Sequence, residues 1–180
     1  MPASKVDIRA RQEPIRQHYL ESPDDAGEVL SVHGGTSDLA DPLHVVVSPD
    51  SVPDALLRSG AHPAVGGDGD VPCSGDLLLA ALAACQETTL RMVAANMGID
   101  LEELEISMEA DWDPRGTLAM GREFPVGITA IRAHTRVVVR GDEREERAKR
   151  LLQSAERYCV ILQTLQAGVS VESTFELGTA

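Results

Sequence analysis

The segment that decides the fold is DLLLAALAACQETTLRMVAANM, residues 76–97. Neither Gly nor Pro interrupts it, and most of its residues are Leu, Ala, Met or Gln, which favour helices. Ser74 is placed to cap the N-terminus, and Gly98 is placed to end the helix in a left-handed conformation. We therefore predict one long helix over residues 76–97, long enough to cross a domain of this size.

The two halves of this helix differ in their apolar pattern. Residues 77–85 are apolar on every face, which predicts burial on all sides. Residues 86–97 carry a single apolar stripe at helical spacing. The stripe consists of Leu90, Val93, Ala94 and Met97. We expect this helix to be the central element of the fold.

Shorter segments surround the helix on both sides. The predicted division of the chain is an N-terminal helical extension at 1–25, strands within 26–60, a Gly/Pro-rich loop at 61–75, and the central helix with all later elements at 76–180. Within the strand region, residues 28–33 and 43–48 predict two strands of a hairpin or meander, whereas 52–58 is ambiguous.

After the central helix the pattern changes to strict alternation. Residues 104–112 and 128–140 alternate apolar with polar side chains, which predicts two half-buried strands. Residues 143–158 return to the helical period, with Asp142 as a possible cap, and 169–177 predicts a last strand. Because the elements do not repeat as βαβα units, we predict a single domain of the α+β class.

Composition limits the partners that we expect. The chain has 16 Lys plus Arg against 29 Asp plus Glu, a net charge of −13, and no basic cluster. Such a surface does not favour nucleic acid or anionic membranes. The N-terminus has no apolar signal region, and the longest apolar run, residues 77–85, is too short to span a membrane. We therefore expect a cytoplasmic protein whose three cysteines form no permanent disulfide framework.

The cysteines are the candidate reactive groups. Cys85 lies in the middle of the long helix and Cys159 near the end of the second helix. A mid-helix position gives Cys85 no help from its own helix dipole, so a thiolate there would need a nearby guanidinium. The alternative is that both cysteines are small apolar core residues. Cys73, in the loop before the helix, has no assigned role, and its spacing from the other cysteines does not favour a zinc site. We expect no metal and no cofactor.

Two segments carry a family resemblance. GDLLLAALAACQETTLRMVAANMGIDLEELEIS, residues 75–107, and ERYCVILQTLQAGVSVES, residues 156–173, together with the DWDPRG turn at 111–116, resemble the OsmC/Ohr family of osmotically induced and organic hydroperoxide resistance proteins. The resemblance is strongest from about residue 72 onward. It implies an intertwined α+β homodimer in which the two long helices pack together and the active sites lie at the subunit interface.

The resemblance also implies a reaction. Cys85 corresponds to the peroxidatic cysteine of the family and Cys159 to the resolving cysteine. A thiolate attacks a hydroperoxide and becomes a sulfenic acid, which then condenses with the second thiol to a disulfide. An external dithiol, lipoyl-linked in some family members, regenerates the two thiols. The implied role is the reduction of organic or inorganic hydroperoxides in the oxidative stress response.

One departure from the family pattern concerns the groups around the thiolate. Ohr-type members have a Glu ten residues before the peroxidatic cysteine, and here that position is Gly75. Asp76 is one position later, rotated by about 100° on a helix, so it either substitutes for the Glu or serves the helix N-terminus, and we favour the second. The family's arginine comes from the N-terminal region, where Arg16 and Arg58 are candidates. A non-catalytic member that binds a hydrophobic small molecule in an interface cavity is the alternative function.

Overall fold

The computed structural model describes residues 6–35, 38–140 and 145–178. The described residues form helices and two antiparallel sheets, so the fold belongs to the predicted α+β class. In chain order the elements are α1 (Ile8–Glu21), β1 (Val32–Gly34), β2 (His44–Pro49), β3 (Leu57–Gly60), α2 (Ser74–Met97), β4 (Leu101–Trp112), α3 (Pro114–Thr117), β5 (Ile128–Val139), α4 (Glu145–Tyr158) and α5 (Val160–Ala167). Short 3-10 turns at Pro23–Ala26 and Pro63–Val65 lie between them.

The long helix α2 begins earlier than the sequence predicts. Its N-cap is Cys73 rather than Ser74. The reason is Asp76, whose carboxylate reaches back three residues and accepts the amide N–H of Cys73 at 2.8 Å. At the other end Gly98 adopts the predicted left-handed conformation, with φ 67°, and ends the helix.

The predicted apolar stripe of α2 packs into the core. Leu90 and Ala94 are buried against Leu151 and Ala155 of α4, and Ile99 completes this cluster. The partly buried side chains that pack on it from α2, β4 and β5 are Val93, Met97, Leu101, Leu104, Val137 and Val139. The core therefore lies between α2, α4 and one face of the β4–β5 pair.

The strands form a three-stranded sheet, β1-β2-β3, and a two-stranded sheet, β4-β5. The strand predicted at 28–33 is wrong over most of its length, because only Val32–Gly34 pairs with β2. The last pair of the ladder is Val32 opposite Pro49, and one more backbone hydrogen bond, from Asp50 N–H to the carbonyl of Ser31 at 3.1 Å, lies beyond it. β4 and β5 agree with the two alternating segments, and β4 starts three residues before the predicted 104.

The first half of α2 is not buried on all sides, contrary to the prediction. Within residues 77–85 only Leu82 is buried, and Leu78 is 37% exposed. The length and composition of α2 would also allow it to span a membrane, but the core helix of a soluble protein meets the same criteria. Only 17% of the most apolar 18-residue window of α2 is buried within the chain. A large apolar face of α2 is thus uncovered by the described residues.

The strand predicted at 169–177 is also wrong for the single chain. Residues 168–178 belong to no strand, and their apolar side chains lie in solvent, with Phe175 89% and Leu177 99% exposed. An alternating pattern predicts extended backbone, but a strand also needs a neighbouring backbone to pair with. The described part of the chain provides none. The predicted cap Asp142 lies outside the described residues, as do residues 1–5 of the predicted N-terminal extension.

Candidate functional site

The structure brings Cys85 and Cys159 together. Cys85 is half-buried in the middle of α2, and Cys159 is fully buried at the break between α4 and α5, where it is the N-cap of α5. Both are free thiols, and they lie near enough for each to shift the pKa of the other. This proximity follows from the fold, because α2 packs against both α4 and α5.

Four groups that can donate hydrogen bonds lower the pKa of the Cys85 thiol. They are the backbone N–H groups of Ile161 and Val160, the thiol of Cys159 and the hydroxyl of Thr89. Burial alone would raise the pKa of the Cys85 thiol, but these donors favour the thiolate and hold the pKa below its usual value.

The pKa of the Cys159 thiol is shifted in the opposite direction. Burial raises the pKa of the Cys159 thiol, and the hydrogen bond to Cys85 and the charge of its thiolate raise it further, against the amides of Leu162 and Ile161. As the pair titrates, the first proton therefore leaves Cys85, and Cys159 stays protonated beside it. The arrangement provides one nucleophilic sulfur near one neutral thiol.

The donors from α5 correct the sequence analysis on one point. Cys85 lies too far from the start of its own helix to be stabilised there, but the N–H groups of Val160 and Ile161, in the first turn of α5, lower the pKa of its thiol. From the sequence, residues 160–165 are a short apolar stretch without a predicted secondary structure, followed by a strand, so α5 is not predicted. The signal available in the sequence was Gly168, which ends α5 with φ 72° after the apolar run VILQTLQA.

Arg16 and Arg58, the two candidate arginines, lie in different places. Arg16, on α1, lines a groove of about 450 Å³ together with Thr89 of α2 and Tyr158 of α4. Its guanidinium donates to the side chain of Gln12 at 3.2 Å. Arg58, on β3, lines a separate depression. Arg16 therefore lies in a groove on the helix that carries Cys85, at Thr89 one turn further on, whereas Arg58 lies at a depression beside the first sheet.

Asp76 and Gly75 lie at the start of α2, away from the cysteine pair. Nine residues of helix separate Asp76 from Cys85, roughly 14 Å along the axis. The carboxylate of Asp76 is occupied by the amide of Cys73. Within the chain Asp76 therefore serves the helix N-terminus, the role that we favoured, and does not lie beside Cys85.

Cys73 lies at a separate cavity. The cavity, of about 500 Å³, is bounded by the start of α2, the end of β4 and the loop around His62. Cys73 is half-buried on its wall, and the ring of Trp112 meets the ring of His62 edge-on, with 5.4 Å between the ring centres. In the described ranges, no group of three or more His, Cys, Asp or Glu residues is placed to hold a metal ion.

A histidine bridge ties the loop before α2 to the first sheet. His44, at the start of β2, has Nε2 2.9 Å from Asp70 and Nδ1 2.8 Å from Asp41. The hydrogen bonds to Asp70 and Asp41 raise the pKa of the imidazole. The pKa of Asp70 is lowered by its bond to His44, and the pKa of Asp41 is lowered by the backbone N–H of Leu43 and then by His44. Because Asp70 precedes Cys73 by three residues, the bridge helps to fix the start of α2.

Comparison with known proteins identifies the family. Similar solved structures include an OsmC-like protein from Mycoplasma pneumoniae (TM-score 0.61, 16% identity, 78% of this chain and 89% of that one). An organic hydroperoxide resistance protein OsmC from Legionella pneumophila, also described as a predicted redox protein, gives a TM-score of 0.55 at 20% identity over 82% of this chain and 96% of that one. An organic hydroperoxide resistance protein from Elizabethkingia anophelis gives 0.56 at 14% identity over 79% and 91%.

These likenesses establish the fold. A search of curated proteins gives no match. The model of the family described as OsmC-like protein matches residues 67–174, a range that contains all of α2, both strands of the second sheet, Cys85 and Cys159. The matched range is more than half of the chain, and the chain therefore belongs to the OsmC-like protein family.

Proposed function

We propose that this protein is a thiol-dependent peroxidase that reduces organic or inorganic hydroperoxides through Cys85 and Cys159. The observation that carries the proposal is that the packing of α2 against α5 brings two free thiols together, one with a lowered and the other with a raised pKa. Relatives of the same fold are named as hydroperoxide resistance proteins, which supports a general role in this chemistry.

The reaction balances on the two sulfurs. The Cys85 thiolate attacks one oxygen of ROOH, the O–O bond breaks, and the leaving alkoxide takes a proton to become ROH. Cys85 is then a sulfenic acid, and the sulfur of Cys159 attacks it, forming the disulfide and releasing water. A dithiol reductant from outside the protein exchanges with the disulfide and restores both thiols.

We also propose that the protein works as a homodimer. Two features support this: the apolar face of α2 that the described residues leave uncovered, and the unpaired segment 168–178 with its exposed apolar side chains. A second copy that packs on the apolar face of α2 and pairs with that segment would bury both. Sedimentation of the wild type should give twice the mass of the 19.3 kDa chain.

The segment itself offers the test of the dimer. Val171→Asp combined with Phe175→Asp places charges on its apolar positions and should shift the protein toward the monomer. Ser173→Asp, at an exposed polar position of the same segment, is the matched control and should remain dimeric. A wild type that sediments as a monomer at all concentrations overturns the dimer.

Binding without turnover is the second candidate function. The cavity beside Trp112 favours it, because a space of about 500 Å³ with mostly apolar walls and a few polar groups suits a small hydrophobic molecule. A protein of this kind would retain the cavity but would not oxidise its thiols in the presence of a hydroperoxide.

Counting thiols separates the two functions. We expect fully reduced protein mixed with excess cumene hydroperoxide to lose two free thiols within minutes, while Cys73→Ser, the matched control, loses two as well. Cys85→Ser should lose none at a comparable rate, and Cys159→Ser should stop at a sulfenic acid on Cys85. If Cys85 stays reduced, or if Cys85→Ser reacts as fast as the wild type, the peroxidase proposal fails.

A further inference from the structure

Cys159 lies at a break between two helices. α4 ends at Tyr158 and α5 begins at Val160, and Cys159 between them has an extended backbone, with φ −75° and ψ 104°. The side chain of Cys159 is fully buried. Because α4 and α5 both pack against α2, the conformation of this break decides where the sulfur of Cys159 lies relative to the helix that carries Cys85.

The break changes the hydrogen bonds in the last turn of α4. In an uninterrupted helix the carbonyl of Glu156 would accept the N–H of residue 160. Here it accepts the N–H of Cys159 at 3.4 Å and the side-chain amide of Gln163, whose Nε2 lies 3.1 Å away. The bond from Cys159 is longer than the usual range, so Gln163 supplies the better donor to this carbonyl.

Gln163 is also bonded to the other side of the break. Its backbone N–H donates to the carbonyl of Cys159 at 3.0 Å, which is the first hydrogen bond of α5. One residue therefore connects the last turn of α4 with the N-cap of α5. Gln163 is itself exposed, so its side chain adds little burial, and its contribution lies in the hydrogen bond to Glu156.

We propose that Gln163 is a positioning residue for Cys159: its side-chain amide fixes the break between α4 and α5 in the conformation that keeps the Cys159 sulfur beside Cys85. The proposal rests on the cysteine pair of the proposed function. Without the amide, the reduced protein gains freedom at the break, whereas a disulfide between the two cysteines would still impose the original conformation. Disulfide formation would then have to supply the ordering that Gln163 now provides.

The test measures the equilibrium between the two thiols and their disulfide in mixtures of reduced and oxidised glutathione. The protein gives two electrons and two protons to glutathione disulfide, which becomes two molecules of glutathione, and a sulfur–sulfur bond forms between Cys85 and Cys159. Every protein carries Cys73→Ser, so that no third thiol competes. Iodoacetamide stops the exchange, and mass spectrometry quantifies both forms.

Gln163→Met keeps the length of the side chain and removes the amide. We expect its equilibrium constant for disulfide formation to fall about fivefold, the effect of one hydrogen bond. In denaturant the constant should equal that of the protein with native Gln163, because the break no longer exists. Gln166→Met, the same change at an exposed position of α5, is the matched control and should leave the constant unchanged. Circular dichroism checks folding, and Gln163→Ala replaces Gln163→Met if the latter is not folded.

Three results overturn the proposal. The first is a Gln163→Met protein that is less stable to urea but has an unchanged constant, because Gln163 would then stabilise both redox forms equally. The second is an equal fall in Gln166→Met. The third is the absence of the disulfide at every glutathione ratio in the protein with native Gln163, which would mean that Cys159 does not lie beside Cys85. Since no hydroperoxide is used, a fall confined to the Gln163 variants supports the proposal even if the protein reduces no hydroperoxide.

Discussion

The backbone N–H of Ile161, in the first turn of α5, lowers the pKa of the Cys85 thiol in the middle of α2. Helix N-termini stabilise anions through their unpaired N–H groups. Cys85 obtains this stabilisation from a helix other than its own. The reactive character of Cys85 therefore depends on the packing of α5 against α2 and is not a property of α2 alone.

Removing one of these N–H groups should make Cys85 less acidic. Val160→Pro deletes the first N–H of α5 at a position where helices tolerate proline, and Cys159 before it has the extended conformation that proline requires (φ −75°, ψ 104°). The side chain of Val160 is 66% exposed, so little packing is lost. We expect the pH midpoint of Cys85 alkylation to rise by about one unit. Val160→Ala retains the N–H and should not shift it. A midpoint that is the same in all three proteins would contradict the role of α5.

Replacing the capping carboxylate should lower stability and leave the thiol unchanged. Asp76→Ala removes the acceptor for the Cys73 amide, at a cost of about 1 kcal/mol in the free energy of unfolding. Because Asp76 lies at the helix start, the alkylation midpoint of Cys85 should match the wild type. Asp68→Ala, in the preceding loop, removes an exposed charge without removing a cap. Urea denaturation and alkylation together check this prediction. A raised midpoint in Asp76→Ala would mean instead that Asp76 substitutes for the family glutamate.

Much of this architecture could be predicted from local pattern. The alternating residues of β4 and β5 place apolar side chains on one face of the sheet, and the stripe on α2 does the same on one face of the helix. Both faces pack on the core, so the apolar period of the sequence matches the burial in the structure. The errors arose where a neighbouring strand decides the outcome, as for residues 169–177, whose alternating segment has no partner strand among the described residues. The proximity of the α5 amides to Cys85 could not be predicted, because only the tertiary fold brings α5 next to this part of α2.

The core cluster predicts a contrast between two neighbouring leucines of α4. Leu151 is 0% exposed and belongs to the cluster, whereas Leu152 is 39% exposed. Leu151→Ala should lower the free energy of unfolding by about 2–5 kcal/mol through lost burial and a residual cavity. Leu152→Ala, the matched control, should cost less than about 2 kcal/mol. Urea denaturation of both variants gives the comparison, and equal losses would contradict the assignment of the core.

The bridge at His44 predicts a pH dependence of stability. Because the folded protein raises the pKa of His44, it binds this proton more tightly than the unfolded chain does. The stabilisation is complete below the ordinary imidazole pKa near 6.5 and is lost as the pH rises through the raised folded value. The melting temperature of the wild type should therefore fall over that interval, and His44→Gln should show a smaller fall. His134→Gln, an exposed histidine on β5, should behave as the wild type. If the melting temperature of His44→Gln fell with pH as steeply as that of the wild type, the His44 bridge would not be the cause of the pH dependence.

Trp112 is the single tryptophan of the chain, and it lies on the wall of the cavity at the start of α2, with His62 against its ring. The intrinsic fluorescence of the protein therefore comes from an indole at this cavity, without any label. A ligand that enters the cavity should change the emission spectrum while all thiols remain reduced. Oxidation of Cys85 and Cys159 is read independently by thiol counting. The protein thus contains an optical probe for the cavity that is separate from the chemistry of its cysteine pair.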